Sequence, residues 1–159
     1  MNEIAALMRI EKLFLSPGHN YFGRHGQAAE NFPLLEVEAV ECVAGRGLRG
    51  DRFFGFKHDY KGQITFFSCE VFEEVCRALG VSGKQPGVTR RNVFTRGIDL
   101  NSLIGARFTL QGIEFEGVGE CRPCYWMDQA IAPGAEKALK ERGGLRARIL
   151  SSGFLRVDR

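Results

Sequence analysis

A chain of 159 residues, 44% hydrophobic and 26% charged, has the size and composition of one globular domain, taken here as residues 1–159. The net charge of +3 is too weak and too dispersed to argue for nucleic acid as a partner, although it suits a small anionic ligand. No segment approaches the roughly 18 apolar residues of a membrane span, and Arg9 and Glu11 cut short the apolar run Ala5-Ala6-Leu7-Met8 before it resembles a secretory leader. The expectation is therefore a cytoplasmic protein with no membrane partner.

Twenty glycines punctuate short segments, which favours many short strands over long helices. Met8 to Ser16 reads as a strand ending at Pro17-Gly18, and residues 18–26 read as a loop carrying His19 and His25. Leu35, Val37 and Ala39 alternate with Glu36, Glu38 and Val40, the pattern of one half-buried strand. A loop rich in glycine and arginine follows over residues 45–52. Gln63 to Phe67 is β-like, and Ser68 can cap a helix over Glu70 to Leu79 that Gly80 stops. Arg91 to Thr95 reads as a strand. Ala106 to Leu110 and Ile113 to Val118 read as a hairpin about Gln111-Gly112. Ala135 to Arg142 is expected to be helical, between Pro133 and Gly143-Gly144. Leu145, Ala147 and Ile149 alternate with Arg146 and Arg148, and Ser151-Ser152-Gly153 turns the chain into a last strand, Phe154 to Val157. So many short strands are best accommodated by a small closed or nearly closed barrel, which leaves few free edges.

The chemistry points first to Cys121-Arg122-Pro123-Cys124. Five cysteines, an odd number, argue against a disulfide framework in a reducing compartment. Pro123 fixes its own φ and restricts Arg122, so a stiff turn would present Cys124 in a defined direction. Arg122 places positive charge beside the thiol, an environment that favours the thiolate. Two inert, partly buried cysteines are the plain alternative. Structural zinc needs four ligands, and Cys69 and Cys76, seven apart, do not form a second pair. A thioredoxin-like redox pair needs a strand-helix-strand context that Tyr125-Trp126-Met127-Asp128 does not advertise. The remaining reading makes Cys124 a single soft ligand to a metal brought by a cofactor. Arginines cluster at Arg46, Arg49 and Arg52 and at Arg90, Arg91 and Arg96, in forms suited to phosphate oxygens. Asp51 can orient Arg52, accept from a ligand N–H or close a turn.

In order and spacing these segments resemble the MOSC domain, the C-terminal domain of molybdenum cofactor sulfurases, which also occurs as small stand-alone proteins. The matching elements are Ile10 to His19, Gly47-Leu48-Arg49-Gly50-Asp51-Arg52, Arg90-Arg91-Asn92-Val93 with Gly97-Ile98-Asp99-Leu100, Ala106 to Gly112, Val118 to Cys124 and Gly144 to Gly153. The resemblance implies a mainly β fold, a MOSC-type β-barrel with a few peripheral helices. It implies that Cys124 is the catalytic or metal-ligating cysteine, binding molybdenum of a pterin cofactor (molybdopterin) or carrying sulfur as a persulfide. On that reading Arg49, Asp51, Arg52, Arg91, Asn92 and Arg146 line the cofactor pocket. Related members reduce N-hydroxylated compounds. The chain has neither the sulfurase domain nor anything that looks like a pyridoxal-phosphate site, so a cysteine desulfurase or an electron-donor protein would have to be a separate partner.

Overall fold

The computed structural model describes residues 7–17 and 34–159. The loop expected at residues 18–26, with His19 and His25, lies outside the described residues. Strands β1 (Arg9–Leu15), β2 (Leu35–Val37), β3 (Ala39–Val43), β4 (Gly47–Leu48) and β5 (Ile64–Ser68) precede helix α1 (Cys69–Ala78). Then come β6 (Val93–Arg96), β7 (Arg107–Leu110), β8 (Ile113–Glu120), α2 (Trp126–Ala130), α3 (Ala135–Ala138), β9 (Leu145–Ile149) and β10 (Gly153–Arg156). Short 3-10 turns cover Pro86–Thr89 and Leu100–Leu103. Among the described residues, no helix is long and apolar enough to cross a membrane.

The fold is mainly β, but the expected barrel is not closed. Seven strands form an open sheet in the order β2-β1-β6-β5-β9-β8-β7, and β10-β3-β4 form a second sheet. The reason lies at Glu38, where the chain bends and one continuous strand becomes two. On β2 it is Val37 that packs against the core, whereas after the bend the buried residues are Val40 and Cys42. The alternation has slipped by one residue, so β3 faces the core with the opposite parity and joins the other sheet. The seam between the sheets is bridged by single contacts. The Val157 N–H donates to the Glu38 carbonyl and the Asp158 N–H to that of Ile10. At the hairpin tip the Gln111 side-chain amide imitates a strand, accepting from the Arg156 N–H and donating to its carbonyl, both at 2.8 Å. These contacts occupy polar edge groups that an open sheet otherwise exposes.

The main sheet packs against other elements on both faces. One face packs Ile10, Leu13, Ile64, Phe66, Val93 and Phe115 against Val40, Cys42, Leu48 and Leu155 of the smaller sheet. The other packs Phe14, Phe67 and Phe94 against Phe72 and Val75 of α1, Met127 and Ala130 of α2, and Leu139. β5 and β6 are parallel, and α1 supplies the crossover that a parallel pair requires. Ser68 caps α1 as expected, accepting from the Val71 N–H at 3.1 Å. Gln111 and Gly112 both have positive φ, 51° and 81°, the conformation of a tight type I′ hairpin turn. The helix expected over Ala135 to Arg142 is shorter, ending at Ala138; beyond it the Lys140 and Arg142 N–H groups donate only three residues back, to Lys137 and Leu139, and Glu141 takes a left-handed conformation (φ 67°).

Candidate functional site

Beside the helices, the face of the main sheet that carries Phe67 is left open. Thr65 of β5 and Arg146 of β9 are direct cross-strand partners there, and both line a cavity of about 630 Å³. β8 reaches this cavity through an irregularity in its pairing with β9 between Gly117 and Gly119, and Val118, Gly119 and Glu120 form part of the wall. Bulges of this kind re-aim side chains at the ends of strands and recur beside functional sites. Phe53, Tyr60 and Trp126 supply aromatic walls. The lining carries six cationic side chains, those of Arg52, Lys61, Arg90, Arg91, Arg122 and Arg146, against the one carboxylate of Glu120.

Cys121 and Cys124 both line this cavity. Cys124 is exposed and Cys121 half-buried, while Cys42 and Cys69 are buried. Burial pushes the Cys42 and Cys69 thiols up to about 12, with Glu41 and Glu11 respectively adding to the effect. The Cys76 thiol is also raised by burial. Cys124 is thus set apart from the other cysteines by its exposure, whereas Cys121 is half-buried like Cys76 and differs from it in lining the cavity. The run from Cys121 to Cys124 is not the stiff turn expected from Pro123. It leaves β8 without a turn or bend, and the one-turn helix α2 begins just after it, with the Met127 N–H donating to the Cys124 carbonyl at 2.9 Å. All described cysteines are free thiols.

The loop is held from behind by Arg91. Its guanidinium donates to the carbonyls of Cys121 (3.1 Å), Gly143 (3.0 Å) and Thr89 (3.2 Å). The planar fork reaches three chain segments at once, as a lysine ammonium on its flexible stem does not. The Cys121 N–H donates to the Gly144 carbonyl at 2.8 Å. Gly143 allows this approach, since a Cβ there would lie 2.4 Å from the Cys121 carbonyl oxygen. Trp126 donates through its indole nitrogen to the Val88 carbonyl at 3.3 Å, which fixes its ring at the cavity wall.

Asn92 forms a buried hub. Its Oδ1 accepts from the Thr65 backbone N–H and hydroxyl, both at 3.0 Å. Its Nδ2 donates to the Phe14 carbonyl at 3.2 Å and to Asp51 Oδ1 at 3.3 Å. Asp51 is buried and does not line the cavity; it also accepts from the backbone N–H groups of Ser16 and Phe53. Its observed role is to tie the arginine loop to β1 and to Asn92. Arg49 lies outside the cavity, paired with Glu41 at 2.9 Å and set over the Phe54 ring. Arg96, from the second arginine cluster, is bound to Glu11 and Glu73 and does not line the cavity. The structure therefore brings Cys124, Arg52, Arg91, Asn92 and Arg146 to one cavity and leaves Arg49 and Asp51 around it. Lys61, Thr65, Glu120 and Trp126 join them without a motif to mark them, although Trp126, the sole tryptophan, stands two residues from Cys124.

The family model of the MOSC domain matches residues 50–159, which include the whole of this cavity lining. The chain belongs to the MOSC domain family. No curated protein matches it significantly. Among solved structures, this MOSC domain is similar to the YuaD protein of Bacillus subtilis (20% identity, TM-score 0.73, covering 94% of this chain and 91% of that one). It is also similar to YiiM from Geobacillus stearothermophilus (14%, TM-score 0.65, 94% and 71%) and YiiM from Escherichia coli (14%, TM-score 0.60, 92% and 66%). At these identities the likeness is one of fold.

Proposed function

We propose that this MOSC domain binds the molybdenum cofactor, with the Cys124 thiolate as the protein's ligand to the metal and the arginine-rich walls holding the pterin phosphate. The carrying observation is that an exposed thiol opens on a cavity with six cationic side chains and one carboxylate. The donor set fits the group. About 630 Å³ is within the usual range for cofactor sites, guanidinium forks match phosphate oxygens, and a thiolate is a soft ligand. Among the described residues no three His, Cys, Asp or Glu side chains cluster as a metal site. A single thiolate therefore needs a metal that arrives with ligands of its own. Arg52, Arg146 and Lys61 would hold the anionic end, with Arg91 keeping the cysteine loop in place. When bound, the group would supply two-electron redox chemistry, such as the reduction of N-hydroxylated compounds. The protein's own part is to orient it, to neutralise its charge and to offer Glu120 as the one carboxyl at the cavity.

The test is the molybdenum and pterin content of protein purified from cells that make the cofactor. Wild type should carry both. Cys124→Ser should lose molybdenum, and Arg52→Ala with Arg146→Ala should lose pterin. Equally low metal in wild type and Cys124→Ser would refute the proposal. The exposure of Cys124 also favours a second reading, a persulfide carrier loaded by a cysteine desulfurase. Its signature is one added sulfur on Cys124 by mass spectrometry, independent of bound molybdenum.

A further inference from the structure

The +3 charge is less dispersed than the whole-chain composition implies. Residues 46–61 carry five of the basic residues (Arg46, Arg49, Arg52, Lys57 and Lys61) and two aspartates, so the rest of the chain is formally neutral. Neither aspartate offsets the outward field of this stretch. Asp51 is buried under three donors and Asp59 is paired with Arg148 at 2.9 Å; Arg49 is likewise paired with Glu41, which leaves Arg46, Arg52, Lys57 and Lys61 as the cations of the stretch. The stretch also carries an aromatic cluster that runs outward from the cavity wall. Phe53 and Tyr60 line the cavity and have ring centroids 5.2 Å apart. Phe56 packs on both, at 5.4 and 5.1 Å, and is 46% exposed. The loop is held in shape by its own backbone, with the Gly55 N–H donating to the Arg46 carbonyl at 2.9 Å and the Phe54 N–H to that of Asp51 at 3.0 Å.

We propose that this loop is the docking surface for an acidic protein, with Phe56 as its apolar anchor at the mouth of the Cys124 cavity. A lone exposed phenylalanine would mean little. Here it sits on a rigid aromatic cluster inside a ring of cations, an apolar centre with a charged rim as at a protein interface. Nucleic acid is the other anionic macromolecule that such charge attracts. The rings argue against it, because cations already lie over them: Arg52 over Phe53 (4.5 Å), Lys57 over Phe56 (5.4 Å), Arg46 over Phe54 (4.5 Å) and Arg146 over Tyr60 (5.6 Å). Bases need open aromatic faces on which to stack, whereas carboxylates can reach the exposed Arg46 and Lys57 from outside. The inference does not depend on what Cys124 carries, since a partner on this loop stands beside the cavity in either case.

The test uses a fluorescently labelled, glutamate-rich peptide with a central leucine pair, the same peptide without the leucines, and an oligothymidylate of matched charge. Binding to the whole protein is followed by anisotropy at several salt concentrations. The leucine peptide should bind best, and more weakly as salt rises. Arg46→Glu with Lys57→Glu should weaken it by about tenfold or more. Phe56→Ser should weaken it several-fold and erase the advantage of the leucines. Lys84→Glu with Arg107→Glu, off the loop, should bind as wild type does, and thermal melts should show that all variants remain folded. The proposal is overturned if wild type binds neither peptide, if Phe56→Ser binds as wild type does, if the off-loop pair weakens binding equally, or if the oligothymidylate binds more tightly than the leucine peptide.

Discussion

Asn92→Ala provides a stringent test of how the cavity floor is held. The substitution removes two acceptor contacts from Thr65 and two donor contacts, to the Phe14 carbonyl and to Asp51. The Asp51 contact involves a charged acceptor and is expected to contribute about 1.5–3 kcal/mol. The other groups left in a buried setting lose about 1 kcal/mol each, reduced where they find a second partner. A total near 3–5 kcal/mol follows, a large share of the roughly 5–15 kcal/mol that holds a domain folded. Asn92→Asp should cost at least as much. It keeps an acceptor for Thr65 but places a second carboxylate beside Asp51. Urea unfolding followed by the fluorescence of Trp126 reads the change directly. With a slope of about 2 kcal/mol per molar, the midpoint should fall by about 2 M. A fall below about 0.5 M at unchanged slope, or Asn92→Asp more stable than Asn92→Ala, would refute the hub.

Three further outcomes follow from the same contacts. Native-state alkylation near neutral pH should label Cys124 first and leave Cys42 and Cys69 unlabelled until the protein unfolds, because burial pushes those two thiols up to about 12. Peptide mass spectrometry gives the order, and early label on Cys42 would contradict it. Glu11 and Glu73 are held below the usual carboxylate range chiefly by hydrogen bonds from Arg96. Their stabilisation is complete above about pH 4.3 and disappears as pH falls through their lowered values. Arg96→Gln should flatten that acid limb of the melting temperature, by less than about 1 kcal/mol because the pairs are partly exposed. Gly143→Ala would drive a Cβ to 2.4 Å from the Cys121 carbonyl oxygen and 2.7 Å from Pro123 Cδ. It should cost about 1–3 kcal/mol and speed amide exchange across residues 121–124, with the core exchanging as in wild type.

Local chemistry made much of the architecture legible. Ser68 announces a cap, Gln111-Gly112 a tight turn, and the alternation from Leu145 to Ile149 a half-buried strand, because each is decided within a few residues. The alternation across residues 35–43 misled for a reason equally physical. One bend at Glu38 shifts the parity, and nothing local distinguishes a strand that continues from one that changes sheets. The same applies to barrel closure, which depends on whether distant edges meet. α2 was hidden because its stability comes from burying Met127 and Ala130 against α1 and α3, not from its own five residues.

The site divides in the same way. Order and spacing along the chain single out Cys124 and the arginine loops, since residue type alone states which groups can bind a soft metal or a phosphate. Only the tertiary structure separates the arginines by task. Arg52 and Arg146 flank the cavity, Arg91 grips the cysteine loop through three carbonyls, Arg49 turns away to Glu41, and Arg96 is committed to two glutamates. A guanidinium's role is set by which acceptors the fold brings within about 3 Å of it, and those acceptors come from segments far apart in the chain.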